Sequence, residues 1–317
     1  MSEQEKLVNR RSFLTIGSSV LGSVALLSAC AQKAPVQEAA PAMPAPEVPL
    51  TAHPPLAATQ FPADEPYLGF RMGVQSYCFR NFKTFDELTA KLKELSLAHV
   101  EIWPDGHLPI DTPLDQVKDF AEKIKAIGMS IDACGVVAFD NDEAKARQIF
   151  EYGKALGVLA ISGSPKPGSL QMVDKLANEY GLPVAIHNHG PEDPIFGSYE
   201  QVRTAMLQTS NMVGFCMDCG HFYRAGVDPM LALDEFSNRV YGIHLKDLMP
   251  DADGKWKDVV VGTGKIDLVA LLDKLDEIGF KGYLSLEYES DPDNPVPAML
   301  QCLDNIKAAA AKIKAQA

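Results

Sequence analysis

Basic residues are scarce in this chain. Against 42 Asp and Glu it carries 29 Lys and Arg, a formal net charge of −13 over 317 residues. Nucleic-acid binding draws its affinity from neutralised phosphates, and no basic stripe is visible, so a nucleic-acid partner is excluded. Cysteine is also sparse. After Cys30 only Cys78, Cys134, Cys216, Cys219 and Cys302 remain. Cys216 and Cys219 form a C-x-x-C, but the pair straddles Asp218 inside a strand pattern, not a knuckle or a helix start. The thiols are expected to pack as small hydrophobes, and their odd number leaves any disulfide unassigned. No Gly-rich phosphate fingerprint follows the first strand pattern, which weighs against an open doubly wound nucleotide fold. Long hydrophobic runs are missing too. The most apolar stretch, residues 14–29, is interrupted by Thr15, Gly17, Ser18, Ser19, Gly22 and Ser23, and a membrane span wants about 20 apolar residues.

That interrupted stretch has another reading. It follows Asn9-Arg10-Arg11-Ser12-Phe13-Leu14-Thr15, a twin-arginine export pattern, and ends in Leu27-Ser28-Ala29-Cys30, which resembles the bacterial lipobox. Residues 1–29 are therefore expected to be a signal peptide. Cys30 would be acylated, become the mature N-terminus and anchor the protein on the periplasmic side of the cell envelope. Twin-arginine export follows folding, so any ion the folded protein holds would be chosen in the cytoplasm. Residues 30–66 are dominated by Ala and Pro without helical or strand period, the composition of an extended, disordered tether. The folded unit is expected over 67–317, about 250 residues, the usual size of an eight-fold βα barrel.

From Arg71 onward strands and helices alternate. Apolar strand patterns fall at Met72–Ser76, Val100–Trp103, Ser130–Val136, Val158–Ser162, Val184–His187, Val213–Met217, Val240–His244 and Tyr283–Glu287. Between them a 3.6-residue apolar period marks helices at Phe85–Leu97, Leu114–Ile127, Asp142–Leu156, Leu170–Tyr180, Tyr199–Leu207, Pro229–Phe236 and Leu268–Ile278, with a last one from about Val296. Thr84 and Glu87 form a capping box, Thr112-Pro113 and Asp228-Pro229 place proline at a first turn, and Gly128, Gly157, Gly181 and Gly279 follow helix ends. Such βα units in series, each crossing over right-handed, close into a (β/α)8 TIM barrel. The alternative is an open doubly wound sheet.

Parallel α/β folds keep their chemistry at the C-terminal ends of strands. Those ends supply Glu101, His187 and His189, Asp218 and His221, His244 and Lys246, and Glu287 and Glu289. A single histidine or aspartate there is more often a loop cap than a ligand. Four successive strands ending in imidazole or carboxylate donors are another matter, because a divalent ion wants three or four such groups from separate elements. Glu289 and Asp247 are expected to lie outside the site's direct contacts or on the surface, and Trp103 to offer an apolar wall to a sugar face.

Five strings, Val100-Glu101-Ile102-Trp103, Met217-Asp218-Cys219-Gly220-His221, His244-Leu245-Lys246-Asp247, Val261-Gly262-Thr263-Gly264 and Leu286-Glu287, carry a resemblance to the xylose isomerase-like sugar phosphate isomerase/epimerase superfamily. The resemblance spans Arg71 to the end. It implies one divalent ion, manganese first and zinc, cobalt, iron or magnesium as alternatives, held by His187, Asp218, His244 and Glu287. It implies catalytic roles for Glu287, Glu101 and His221, and substrate contacts from Trp103, His189 and Lys246. Many relatives place glutamate where His187 stands, a departure that puts the symmetric two-glutamate epimerase mechanism in question.

The expected reaction is metal-assisted proton abstraction beside a sugar carbonyl, giving an enediolate. Isomerisation or epimerisation of a small sugar or keto-sugar is the first reading. Dehydration or elimination from a keto-sugar or keto-glycoside is the second, because His187-Asn188-His189 resembles the strand ends of keto-inositol dehydratases in the same superfamily. A non-catalytic sugar-binding lipoprotein is the third. Nothing in the sequence fixes the oligomeric state.

Overall fold

The computed structural model describes residues 65–316. The export signal, Cys30 and nearly all of the expected tether lie outside them. No helix among the described residues is long and apolar enough to cross a membrane.

Eight strands close a parallel barrel: β1 (Arg71–Gln75), β2 (His99–Ile102), β3 (Ser130–Phe139), β4 (Ala160–Pro165), β5 (Val184–His187), β6 (Val213–Asp218), β7 (Val240–Leu245) and, last in the chain, β10 (Tyr283–Leu286). β10 pairs with both β1 and β7, which seals the sheet and rules out the open alternative. The helices α1 (Phe85–Leu95), α2 (Leu114–Ala126), α3 (Glu143–Leu156), α4 (Leu170–Tyr180), α5 (Tyr199–Leu207), α7 (Met230–Phe236), α8 (Leu268–Glu277) and α9 (Val296–Lys314) surround it. Three elements escaped the periodicity reading. A short helix α6 (Cys219–Arg224) follows β6, and a hairpin of β8 (Asp247–Pro250) and β9 (Trp256–Val259) follows β7.

Local signals place these elements. Thr84 caps α1 and Glu87 returns the bond to the Thr84 amide at 3.0 Å. Ser198 and Gln201 repeat the device at α5. Gly157 and Gly181 take left-handed conformations at the ends of α3 and α4, as expected. Pro113 and Pro229 stand at the N-cap position, one residue outside their helices rather than in the first turn. β4 is shifted toward the C-terminus of its expected range and β3 runs on to Phe139, because both stretches are β-branched or small on either side of the boundary chosen.

Two apolar layers hold the barrel. One lies between strands and helices, where Leu88, Leu92, Ile124, Phe150, Leu176, Leu272 and Leu303 are fully buried; each such side chain contributes about 1.5–3 kcal/mol on leaving water. The other fills the barrel, where Ala133, Ala160, Ala185 and Cys216 face Tyr241 and Tyr283. Small residues on four strands make room for two large rings on β7 and β10. Gly242 is part of that fit, since a Cβ there would sit 2.1 Å from the Tyr283 ring. The five described cysteines are free and buried, as expected of small hydrophobes.

Candidate metal centre

His187 ends β5, Asp218 ends β6, His244 is the penultimate residue of β7 and Glu287 follows β10. These strands are neighbours in the barrel, so parallel register delivers the four side chains to one rim. One donor atom from each lies within 4.8 Å of every other, and all four residues are buried.

Each donor is aimed by its neighbours. Asp218 is the N-cap of α6: its Oδ1 accepts from the His221 amide at 2.7 Å, which leaves Oδ2 facing the cluster. Asn188 clamps the ends of β5 and β6 together, donating to the Asp218 carbonyl at 3.1 Å and accepting from its amide at 2.8 Å. This is the work of the middle residue in His187-Asn188-His189. His244 Nε2 lies 2.8 Å from Glu101 Oε2. A carboxylate only accepts, so Nε2 carries a proton; burial works to lower this imidazole, but the neighbouring carboxylates Glu101 and Glu287 outweigh it and raise it well above its ordinary value, so the proton on Nδ1 is the one a cation would displace. This Nδ1 meets His187 Nε2 at 3.1 Å and Glu287 Oε2 at 2.9 Å.

A metal fits this arrangement. Two imidazole nitrogens and two carboxylate oxygens converge in a buried site, and such groups stay together only around a proton or a cation. Asp218 Oδ2 and His187 Nδ1 are buried without a hydrogen-bond partner, although Lys246 Nζ stands 3.2 Å from the former, outside hydrogen-bond alignment. Burial pushes the His187 imidazole down to about 3, which keeps it neutral. Burial works to raise Glu287, but Lys246 and His244 outweigh it and hold the carboxylate ionised. Two imidazoles with two carboxylates suit zinc, manganese, iron or cobalt better than calcium.

Above the cluster lies a pocket of about 280 Å³ lined by His187, His189, His221, Lys246, Glu287 and Glu289, with Trp103 and Tyr77 among the other walls. The Trp103 ring packs edge-on to Tyr77 at 4.9 Å, presenting an apolar wall where one was expected. The two outer histidines are held in opposite senses. Asp193 Oδ2 stands 2.8 Å from His189 Nδ1, off the ideal line of a hydrogen bond. Arg224 donates to His221 Nδ1 at 3.1 Å, so His221 carries its proton on Nε2. Burial lowers the His221 imidazole against the pull of Asp218.

Three expectations change. Glu101 does not line the pocket: it is buried under it, with Oε2 taken by His244 and by Ser285 Oγ at 2.7 Å and Oε1 by Ser162. Its strand-end position misled, because a strand end in a barrel can point inward to a neighbouring ligand. Lys246 lines the pocket, yet its ammonium is engaged by Glu289 at 2.5 Å, Glu287 at 3.0 Å and Asp218 at 3.2 Å. Glu289 is therefore part of the pocket and not a bystander. Asp247 is fully buried, and its carboxylate accepts from the amides of Gly262, Gly264, Lys265 and Ile266 at 2.7–3.0 Å. It ties Val261-Gly262-Thr263-Gly264 to β8. Gly264 belongs to that contact, since a Cβ there would meet Asp247 Oδ1 at 2.4 Å. Sequence reasoning missed Asp193, which lies in a loop without periodicity, and also Gln75, which ends β1, and Tyr77, in the turn just after it; these two are neither acids nor imidazoles.

The model of the xylose isomerase-like TIM barrel family matches residues 89–309. Rhizopine catabolism protein MocC of Rhizobium meliloti is 29% identical over 133 residues, 38% of this chain and 40% of that protein. An inosose dehydratase of Clostridium perfringens is 28% identical over 155 residues, 44% of this chain and 52% of that protein. The chain thus spans about half the length of the curated relatives it matches. Among solved structures, the IOLI protein with a bound zinc atom shares the fold with a TM-score of 0.59 at 20% identity, over 78% of this chain and 99% of that one.

Proposed function

The chain belongs to the xylose isomerase-like TIM barrel family, and on that premise we propose that it is a divalent-metal-dependent lyase removing water or an alcohol from a keto-sugar or keto-cyclitol. His187, Asp218, His244 and Glu287 are the ligands in this reading. A bound ion supplies Lewis acidity to a substrate carbonyl and the hydroxyl beside it. Glu287 takes the proton from the carbon next to the carbonyl. The freed electron pair forms the new C=C bond as the C–O bond β to the carbonyl breaks. His221 Nε2–H steadies the departing oxygen, and the proton held by Glu287 completes the leaving water or alcohol. Lys246, held by Glu289, lies beside the forming enolate oxygen, while Trp103 covers the ring face and His189 orients a hydroxyl.

The observation that carries this reading is the asymmetry of the pocket. Its carboxylates, Glu287 and Glu289, come from the end of β10, whereas the segments after β5 and β6 contribute only His187, His189 and His221. Epimerisation by two matched glutamates needs one on each side of the substrate, and among the described residues both pocket glutamates stand on the β10 side. Elimination needs one base and one donor. The similarity to an inosose dehydratase supports the same order. Isomerisation or epimerisation becomes the second reading, favoured by His189 with Asp193 behind it as a second base.

The test incubates metal-loaded protein with keto-sugars and keto-cyclitols in heavy water. Enone absorbance with a new vinylic proton supports elimination, and deuterium at an inverted carbon supports epimerisation. Ligand binding without any C–H loss leaves a sugar-binding protein and overturns both. We also propose periplasmic lipid anchoring through Cys30 after twin-arginine export. Cys30→Ser should release the protein from the membrane fraction, and unchanged partitioning would remove that proposal.

A further inference from the structure

A second, larger cavity adjoins the metal pocket. It measures about 520 Å³ against 280 Å³, and Val136 lines both. Asp105, two residues beyond the Trp103 wall of the metal pocket, is among the residues that line the larger cavity. The smaller pocket is at the lower limit of ligand sites, which run from about 300 to 1,000 Å³, and suits a single polyhydroxylated ring. The two together match a substrate twice that length.

The chemistry of the cavity narrows the occupant. Ile110, Val137 and Ile149 form an apolar wall. Asp105, Asp111 and Asp140 bring three carboxylates against one ammonium, Lys145, which stands 3.6 Å from Asp140. Surplus negative charge repels a phosphate or carboxylate group on the ligand. Carboxylates beside an aliphatic wall instead accept hydrogen bonds from hydroxyls while the wall covers C–H groups. Among the described residues no aromatic side chain lines this cavity, which argues for a ligand held by hydroxyl contacts and not by ring stacking.

We infer that this cavity is a second subsite, which binds an uncharged glycosyl unit attached to the keto-sugar in the metal pocket. The inference rests on the keto-sugar reading of that pocket and specifies the leaving group as an alcohol, a sugar hydroxyl, rather than water. With a 3-keto-glycoside the C2–H proton leaves, the C1=C2 bond forms, the C1–O bond breaks, and the released sugar takes the proton.

Initial-rate kinetics of the manganese-loaded full chain with methyl 3-keto-glucoside and with 3-keto-cellobiose test it, apparent affinity being read from KM because both are substrates in this reading. The two-ring ligand is expected to bind at least about tenfold tighter than the one-ring ligand, a difference of about 1.4 kcal/mol. Ala138→Trp, which fills the second cavity from an exposed position, should remove that gain and leave the one-ring affinity within about twofold. Asp111→Asn, on the cavity's edge, should erode the same gain without risk to folding. Equal KM of the parent for both ligands overturns the second subsite while leaving the keto-sugar reading standing. Turnover of neither ligand overturns that reading, and the inference with it.

Discussion

His244 is gripped at both ring nitrogens, its Nε2 2.8 Å from Glu101 Oε2 and its Nδ1 2.9 Å from Glu287 Oε2. Glu101 is itself fixed by Ser162 and Ser285. Glu101 thus orients the His244 ring from one layer below the rim. Glu101 is a positioning residue. Glu101→Gln should keep the fold and weaken metal affinity about 10- to 100-fold, as loss of a ligand's outer partner does. Titration of the purified variant with manganese or zinc checks this. Unchanged affinity together with lost activity would place Glu101 in contact with substrate instead.

Metal binding should also appear as stability. At an ion concentration about 100-fold above Kd the folded state gains about 2.7 kcal/mol. Chelation should therefore lower the melting temperature of the parent protein, and added manganese or zinc should restore it. Asp218→Ala removes a ligand and also the cap of α6. Its melting temperature is expected to be indifferent to metal, while Asp218→Asn, which keeps a capping oxygen, should show the same indifference with less loss of baseline stability. A melting temperature that responds to metal equally in all three proteins would move the ion elsewhere.

Asp247 carries a different burden. Four backbone amides from Gly262 to Ile266 converge on one fully buried carboxylate. Asp247→Asn replaces one acceptor oxygen with an NH2 group facing amide donors, which should cost about 2–4 kcal/mol. The shift in urea midpoint measures it. Metal affinity per folded molecule should stay at the parent value, and a parallel fall in affinity would tie Asp247 to the metal site.

Much of this site was legible because the barrel's rules are local. A strand followed by an imidazole or carboxylate is visible in the chain, and parallel pairing then brings such ends together, as with His187, Asp218, His244 and Glu287. What could not be read was direction within a strand end. Glu101 and Glu287 look alike in sequence, yet one points into the barrel and the other to the pocket. The pairing of Lys246 with Glu289, and of His189 with Asp193, depends on loop paths that leave no period. The β8–β9 hairpin was hidden because its strands are four residues long and half exposed.

Asp258, on that hairpin, gives the chain a pH signature. One of its carboxylate oxygens accepts from the Glu289 amide, while Oδ1 is buried without a hydrogen-bond partner. Burial pushes this carboxyl from an ordinary 3.8 up to about 7, the Glu289 amide and Lys246 only partly opposing it. Between those values the folded protein holds a proton that the unfolded chain releases, so this group's contribution to stability declines as pH rises from about 4 to 7 and is flat above. Asp258→Asn keeps the shape and cannot ionise. It should be more stable than the parent at pH 8, by an upper bound of about 4 kcal/mol, with the advantage shrinking toward pH 4. Urea midpoints of both proteins across that range measure the difference. A constant gap at every pH would mean that Asp258 is ionised throughout, and that water or the ammonium of Lys246 reaches the oxygen left bare.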